Sequence, residues 1–262
     1  MGKTFFFDLD GTLISDVYSV DVSVPIMFEK LKNKGHQSFV CTGRGNKFVP
    51  EQIMKYCDGM ITLTGASATY YKREIFNHPF LNHFNNVIRD ISVNGINVFL
   101  ENTTSMILIG KEETFDEEER KMSGLCDSKY CDFNSFFLSE MSSRLNKINF
   151  RLKYLDAVTT IINGENGVEI LDAGQGWCEM IRSDINKGTA VREIIELLQL
   201  NRQDTICFGD SSNDIAMFAE CGLSVAVDNA SNAVKRAADI VTDSCDNKGV
   251  EKFLLKNGFI DG

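Results

Sequence analysis

The chain has 262 residues, 43% hydrophobic and 24% charged, so it can bury a core and is neither a disordered nor a fibrous protein. Its 37 acidic and 27 basic side chains leave a net charge of −10, which argues against broad binding to nucleic acid or to an anionic membrane. We therefore expect small-molecule partners, no nucleic-acid or membrane partner, and one large or two modest domains.

Targeting signals and membrane spans are not evident in the sequence. The apolar run at 5–7 is broken by Asp8 and Asp10, and no run approaches the roughly 20 apolar residues of a spanning helix. The eight cysteines form no C-x-x-C pair, and the closest two, Cys126 and Cys131, have no His or Cys cluster near them. We expect free thiols in a soluble, cytoplasmic protein.

The two ends of the chain alternate between strand and helix patterns. The aromatic run at 4–9 stops at a Gly turn and predicts a buried strand. The predicted helices are 23–34, 46–56, 189–200, 213–221 and 230–238, and the other predicted strands are 37–41, 59–63, 205–209, 223–227 and 240–241. This alternation predicts the α/β class, with a Rossmann-like parallel-sheet core covered by helices on both faces.

The middle of the chain has a different pattern. Short paired strands, at 96–100 and 105–109, and polar helices replace the alternation. We expect an inserted α/β cap domain at 79–181 that sets substrate specificity, and a core domain made of 1–78 and 182–262. The acidic run at 116–119 is interpreted as a solvated helix face.

Two carboxylates follow the first predicted strand, in the pattern Asp8-x-Asp10-Gly-Thr. The carboxyl ends of strands in open α/β sheets are where ligands bind. A carboxylate can act as a nucleophile toward phosphorus, and a second one can carry the proton of the leaving group. The alternative is that both aspartates only cap the following turn.

A second acidic motif, Gly209-Asp-Ser-Ser-Asn-Asp214, stands at the end of a later strand. Asp8 and Asp210, with Asp214 as a further candidate, offer hard oxygen ligands, which select Mg²⁺ over zinc. Asn213 and Asp214 could equally cap the helix that begins there.

Two short motifs add groups that can bind a phosphoryl oxygen. Thr42 and Gly43 end the second strand, where a hydroxyl and a backbone N–H can both donate. Lys187 opens a predicted helix, where an ammonium and the positive helix end would meet an anion.

Together these four segments, in this order, resemble the haloacid dehalogenase (HAD) superfamily and, in more detail, its Cof-like phosphatases. The resemblance covers the whole chain, and Asp228-Asn229-Ala230 is similar to the family's C-terminal pattern. It implies a phosphatase in which Asp8 is the nucleophile and forms an aspartyl-phosphate, while Asp10 acts first as acid and then as base. Thr42 and Lys187 would then hold the phosphoryl oxygens.

The resemblance also implies the remaining site residues. Mg²⁺ would be bound by Asp8, the Asp10 carbonyl and Asp210, with Asp214 supporting the metal. Gly43, Arg44, Thr64 and Asn213 are expected at the substrate or phosphate. The sequence departs from the family at Thr64, where Asn is usual, and at Ser211, where Gly is common.

We therefore expect a Mg²⁺-dependent phosphatase of small phosphorylated metabolites such as sugar phosphates, nucleotides or cofactor phosphates, working as a monomer or weak homodimer. A phosphomutase or other phosphotransferase with the same core chemistry remains an alternative. So does a non-catalytic sensor of phosphorylated metabolites that kept the fold.

Overall fold

The computed structural model describes residues 2–15, 19–81, 84–126, 128–130, 134, 136, 141–163 and 167–262. By its internal contacts the chain divides into two compact units. The first, here the core unit, comprises Met1–Arg44, Phe48–Asn77 and Ile185–Gly262, and the second, the cap unit, comprises Gly45–Lys47 and His78–Asp184. Within the described ranges, no helix combines the length and hydrophobicity that crossing a membrane requires.

The described part of the core unit forms an eight-stranded sheet. Its strands are β1 (Thr4–Phe7), β2 (Gln37–Cys41), β3 (Gly59–Thr62), β4 (Ser67–Tyr70), β5 (Arg73–Asn77), β12 (Thr205–Gly209), β13 (Leu223–Val227) and β14 (Ile240–Thr242). They are ordered β14-β13-β12-β1-β2-β3-β4-β5, and the six from β14 to β3 run parallel. This confirms the predicted α/β class with a parallel-sheet core.

Helices cover both faces of this sheet because its central strands are apolar on both sides. Phe5 and Phe7 of β1 face one layer and Phe6 faces the other, and all three are fully buried. One layer contains α1 (Ser23–Asn33), α2 (Glu51–Tyr56) and α10 (Gly249–Lys256), and the other contains α7 (Lys187–Leu197), α8 (Ile215–Glu220) and α9 (Asn232–Ala237).

The sequence did not predict the hairpin of β4 and β5, which adds two antiparallel strands at one edge. Its two turn residues, Tyr71 and Lys72, have φ angles of 45° and 64°. Two positive φ angles in a two-residue loop match the turn that suits the twist of a hairpin, but Asn and Gly are its usual residues. The turn therefore left no signal in the sequence.

The cap unit has its own sheet, six-stranded in the described residues and ordered β10-β11-β9-β6-β7-β8. One face of the sheet packs Leu100, Ile148 and Met180 against Ile88 and Ile91 of a helix. The strands are β6 (Val98–Glu101), β7 (Met106–Ile109), β8 (Ser128–Tyr130), β9 (Lys147–Arg151), β10 (Val168–Gly174) and β11 (Trp177–Arg182); the helices are α3 (Phe84–Val93), α4 (Glu117–Ser123), α5 (Met141–Arg144) and α6 (Leu155–Ile161).

The acidic run in the cap is only partly the solvated face that the sequence suggested: the Glu117 side chain is 83% exposed, but Asp116 and Glu119 are bonded within the cap. Asp116 caps α4 by accepting from the Glu119 N–H (2.9 Å), and the Glu119 side chain accepts from the Asp116 N–H (2.7 Å). Glu119 is fully buried, and Lys153 bonds to both carboxylates. The capping box satisfies N–H groups at the start of α4. The bonds from Lys153, which follows β9, connect the start of α4 to the cap sheet.

This arrangement predicts a dependence of stability on acid. Partial burial would raise the pKa of Asp116, but hydrogen bonds from the Glu119 N–H, Lys153 and Arg151 outweigh it and lower the pKa to about 2. The stabilisation is therefore complete above pH 4 and disappears as the pH falls towards 2. Asp116→Asn should remove about 1 kcal/mol, after allowance for solvent screening, at pH 6 but little at pH 2.

Thermal melting between pH 6 and pH 2 measures this effect. Asp90→Asn is the matched control, because Asp90 is an exposed cap carboxylate that pairs with its neighbour Arg89 (3.1 Å). An Asp116→Asn melting curve that differs from wild type equally at both pH values would contradict the assignment.

Seven cysteines lie in the described residues and all of them are free, as expected. Cys41, Cys178, Cys207 and Cys221 are buried. Cys131 lies outside the described residues.

Candidate active site

The topology brings three of the motifs to one edge of the core sheet. Strand β1 lies between β12 and β2, and all three are parallel. Asp8, Thr42 and Asp210 each stand immediately after the carboxyl end of one of these strands. Groups separated by up to about 200 residues therefore meet where open α/β sheets bind their ligands.

Lys187 joins two of the aspartates. Its Nζ lies 2.5 Å from Oδ1 of Asp8 and 2.7 Å from Oδ1 of Asp214. The side chains of Lys187, Asp8 and Asp214 are 1%, 7% and 0% exposed, so this is a buried ion triad. Removing the Lys187 charge would be costly, because Asp8 and Asp214 would stay buried without their cation.

The chain places Lys187 through the start of α7. Asn186 caps this helix in a reciprocal capping box with Thr189. Gly65 packs against Asn186. The φ of Gly65 is +106°, and a Cβ on Gly65 would lie 2.3 Å from the Asn186 carbonyl oxygen. Only glycine fits this position, so Gly65 is a site residue whose role the sequence did not reveal.

Asp8, Asp210 and Asp214 form a cluster in which one carboxylate oxygen of each lies within 4.8 Å of the others. Burial and the charge of Asp214 raise the pKa of Asp8 well above its usual range, despite Lys187. Burial and Asp214 also raise the pKa of Asp210. Burial alone would lower the pKa of Lys187, but Asp214 and Asp8 raise it. Three carboxylates therefore face a single ammonium group.

The Gly209–Asp214 loop is held mainly by Asp214. Its Oδ2 accepts from the backbone N–H groups of Asp210 and Ser211, both at 3.0 Å. The Ser211 hydroxyl, at the position where Gly is common, bonds to Asp214 (3.3 Å) and to Asn213 (2.7 Å). Asn213 is half-buried, and the partners of the Lys187 ammonium are Asp8 and Asp214, so these two aspartates orient Lys187.

Asp10 and Arg44 meet each other. The guanidinium of Arg44 donates from Nε to Oδ2 of Asp10 (2.8 Å) and from Nη2 to Oδ1 (2.5 Å). Its Nη1 donates to the Phe48 carbonyl (2.9 Å), which fixes the plane of the guanidinium. Arg44, expected at the phosphate, therefore holds the carboxylate of the expected acid–base residue in this structure.

Thr42 and Gly43 lie in a turn next to Thr64. Thr42 Oγ1 accepts from the Arg44 N–H (3.1 Å), which leaves its hydroxyl hydrogen to donate. Thr64 N–H donates to the Thr42 carbonyl (3.2 Å), and a Cβ on Gly43 would lie 3.4 Å from Thr64 Oγ1. The expected substrate-binding residues Gly43 and Thr64 are thus neighbours.

Thr64 has a strained backbone. Its φ and ψ are 57° and 27°, in the left-handed region that β-branched residues avoid and Asn tolerates. Thr64→Asn should therefore stabilise the protein by about 1 kcal/mol and raise its melting temperature. The matched control is Thr62→Asn, because Thr62 is equally buried but extended (φ −128°), so Asn should destabilise there. A lower melting temperature for Thr64→Asn would contradict the strain.

Comparison with known proteins agrees with this geometry. A family model of haloacid dehalogenase-like hydrolases matches residues 5–254. The chain belongs to this family. The superfamily resemblance of the four motifs is confirmed, and the relatives described next are phosphatases, which supports a phosphoric monoester hydrolase of HAD type.

Two curated relatives illustrate the similarity in sequence. The chain is 31% identical over 171 residues to a phosphoglycolate phosphatase of Archaeoglobus fulgidus, covering 65% of this chain and 72% of that protein. It is 26% identical over 258 residues to a 5-amino-6-(5-phospho-D-ribitylamino)uracil phosphatase of Bacillus subtilis, covering 96% of this chain and 94% of that one.

Solved structures match the fold over the full chain. A sugar phosphatase of HAD subclass IIB superposes with a TM-score of 0.79 at 22% identity, covering 98% of this chain and all of that one. A HAD phosphatase from Bacteroides thetaiotaomicron gives a TM-score of 0.83 at 23% identity, covering 99% and 96%. At these identities the matches establish the fold.

Proposed function

We propose that this HAD phosphatase depends on Mg²⁺ and hydrolyses small phosphorylated metabolites, such as sugar phosphates, nucleotides or cofactor phosphates, through an aspartyl-phosphate on Asp8. The buried triad of Asp8, Lys187 and Asp214 is the observation that carries the proposal. It sets a carboxylate nucleophile beside a permanent positive charge that can offset a phosphoryl group.

The reaction has two steps. A carboxylate oxygen of Asp8 attacks the phosphorus, the bond from phosphorus to the ester oxygen breaks, and Asp10 gives a proton to the leaving oxygen. Asp10 then takes a proton from water, whose oxygen attacks the same phosphorus, and the bond to Asp8 breaks to release inorganic phosphate. Lys187 and the Thr42 hydroxyl would hold phosphoryl oxygens in both steps.

Arg44 would control the orientation of Asp10. Both oxygens of Asp10 are paired with the guanidinium, so the carboxylate is held in one plane. When Asp10 carries the proton, one oxygen becomes a poorer acceptor and the pair loosens. Arg44 is therefore proposed as a residue that returns Asp10 to a fixed position between the two proton transfers.

The donor set suits a hard divalent cation. Three carboxylates with oxygen atoms within 4.8 Å of one another face one ammonium. Burial first, and then the charge of Asp214, raise the pKa values of Asp8 and Asp210, and a bound cation would favour the ionised form of both groups. Asp8, Asp210 and the Asp10 carbonyl would hold Mg²⁺, with Asp214 in support. When bound, Mg²⁺ would supply positive charge against the transferring phosphoryl group.

The substrate class follows from the relatives. Three of the proteins named above are, by name, phosphatases of phosphoglycolate, of a phosphorylated ribitylaminouracil and of sugars. The substrates in these names are all phosphate esters of small molecules, which supports a substrate of the same kind for this chain. We assign the choice among them to the cap domain, residues 79–181, and the chemistry to the core, residues 1–78 and 182–262.

Phosphate release from a panel of phosphorylated sugars, nucleotides and cofactors tests this proposal. We expect release with Mg²⁺, none in excess EDTA, and recovery when Mg²⁺ is added back. Full release after thorough chelation would contradict the metal assignment. A phosphorylated isomer instead of free phosphate would identify a phosphomutase, and binding without any turnover would identify a sensor.

A further inference from the structure

Asn229 connects two loops at the edge of the sheet where the active-site aspartates lie. It stands between β13 and α9, and its Nδ2 donates to the Gly11 carbonyl (2.8 Å), 218 residues away in sequence. Its Oδ1 accepts from the Cys245 N–H (2.8 Å). The nitrogen and the oxygen of the Asn229 amide therefore each form a hydrogen bond with a backbone group.

Gly11 is the backbone group that touches Asp210. Its φ is +82°, and a Cβ there would lie 2.5 Å from Oδ2 of Asp210, so only the bare backbone fits beside that carboxylate. The Gly11 N–H donates to the Ile14 carbonyl (2.7 Å), which fixes the peptide that carries the Asp10 carbonyl. The next residue, Thr12, donates from its hydroxyl to Oδ1 of Asp210 (3.1 Å).

A continuous path of contacts therefore runs from Asn229 to the carboxylate cluster. Asn229 holds the Gly11 carbonyl, the Gly11 backbone lies against Asp210, and the side-chain hydroxyl of the next residue, Thr12, donates to Asp210. If the Gly11 carbonyl were released, its peptide could rotate and the contacts to Asp210 would loosen. Partners one step removed from a metal ligand typically change metal affinity by about 10- to 100-fold.

We propose that Asn229 is a positioning residue for the Mg²⁺ site: by anchoring the Gly11 carbonyl it sets Asp210 and the Asp10 peptide in the geometry that binds the metal. The inference rests on the proposed function. An amide suits this position because one short side chain supplies both the donor to the Gly11 carbonyl and the acceptor for the Cys245 N–H. An ionised carboxylate offers acceptors only.

Two substitutions separate the two bonds. Asn229→Leu removes both, and Asn229→Asp keeps an acceptor for the Cys245 N–H but loses the donor to Gly11. Asn257→Asp is the matched control, because Asn257 also donates from Nδ2 to a backbone carbonyl, that of Phe253, at 2.8 Å, at the end of α10. Asn229 is exposed, so its variants should fold, and thermal melting checks this.

The primary readout is equilibrium Mg²⁺ binding measured by calorimetry without substrate. We expect the dissociation constant to rise about tenfold for both Asn229 variants and to stay at the wild-type value for Asn257→Asp. In phosphatase assays the half-saturating Mg²⁺ concentration should rise by the same factor, while kcat at saturating Mg²⁺ and KM change little. A purely structural role would lower the melting temperature without this selective effect.

The outcomes are distinct. Wild-type affinity in Asn229→Leu overturns the inference. Wild-type affinity in Asn229→Asp, with weakened binding in Asn229→Leu, assigns the effect to the Cys245 bond and overturns the route through Gly11. If the wild-type protein itself neither binds Mg²⁺ nor releases phosphate, the proposed function fails instead.

Discussion

Asp8→Asn should lower phosphate release by more than about 10⁴-fold, because the amide cannot attack phosphorus and no neighbouring group replaces it. Asp210 and Asp214 are close enough to share the charge cluster, but Asp214 already has both oxygens bonded, to Lys187 and to loop N–H groups. The loss should appear in kcat with every substrate, whichever ester the enzyme prefers.

The same substitution should not destabilise the metal-free protein. The charged form of Asp8 is opposed by burial and by Asp214, so a neutral amide of the same shape removes repulsion, while Lys187 keeps Asp214 as its partner. We expect an unchanged or higher melting temperature without Mg²⁺.

Asp58→Asn is the matched control for Asp8→Asn. Asp58 is a buried aspartate that accepts from the Ser38 N–H (2.9 Å), near the amino-terminal end of β2 and so at the opposite end of the sheet. It should lose stability and keep its turnover. Substantial phosphate release by Asp8→Asn would exclude Asp8 as the nucleophile.

Lys187→Met should damage both stability and turnover. The thioether fills similar space but leaves Asp8 and Asp214 buried without their cation, which should cost about 3 kcal/mol in the metal-free protein at neutral pH. Turnover should fall about 10²- to 10³-fold, because a charge that offsets the phosphoryl group is lost.

The destabilisation should depend on pH. Carboxyl groups whose pKa is raised in the folded state stabilise it while protonated, and this contribution is lost as the pH rises through the folded pKa. Without Lys187, burial, Asp214 and Asp210 all raise the pKa of Asp8, and no lysine opposes them. The melting temperature of Lys187→Met should therefore approach that of wild type as the pH falls from 8 to 5.

A second substitution separates folding from chemistry. Asp214→Asn in the Lys187→Met background removes one uncompensated charge and should recover part of the lost stability, but none of the turnover. If Lys187→Met melts like wild type at every pH, the buried ion triad does not stabilise the protein.

The sequence predicted the parallel core and the motifs that meet at its edge for identifiable reasons. Strands β2, β12 and β13 have the predicted bounds. The runs of β12 and β13 lie between Gly or Asp residues, which leaves little choice of end point. Asp8, Thr42 and Asp210 each follow a central parallel strand, and that placement alone fixes their common edge.

The remaining features depend on contacts that no local pattern encodes. Asp10 and Arg44 are 34 residues apart, and nothing in either motif indicates that their side chains bond to each other. The charged neighbours of Glu119 in the sequence indicate a surface residue. In the structure its carboxylate is buried, and the bonds to Lys153 and within the capping box offset the free-energy cost of burying that charge. The sequence indicates Asn229 only as part of a C-terminal pattern, with no sign of its bond to Gly11.

The most direct test of the covalent mechanism is a search for phosphate on Asp8. Wild-type enzyme is mixed with Mg²⁺ and its best substrate, quenched in acid during turnover and treated with borohydride, which reduces an acyl phosphate to the alcohol, and peptides are then sequenced by mass spectrometry. We predict homoserine at position 8 and at no other aspartate, and only when Mg²⁺ and substrate are both present. Rapid turnover with position 8 unreduced at every quench time would contradict an aspartyl-phosphate on Asp8.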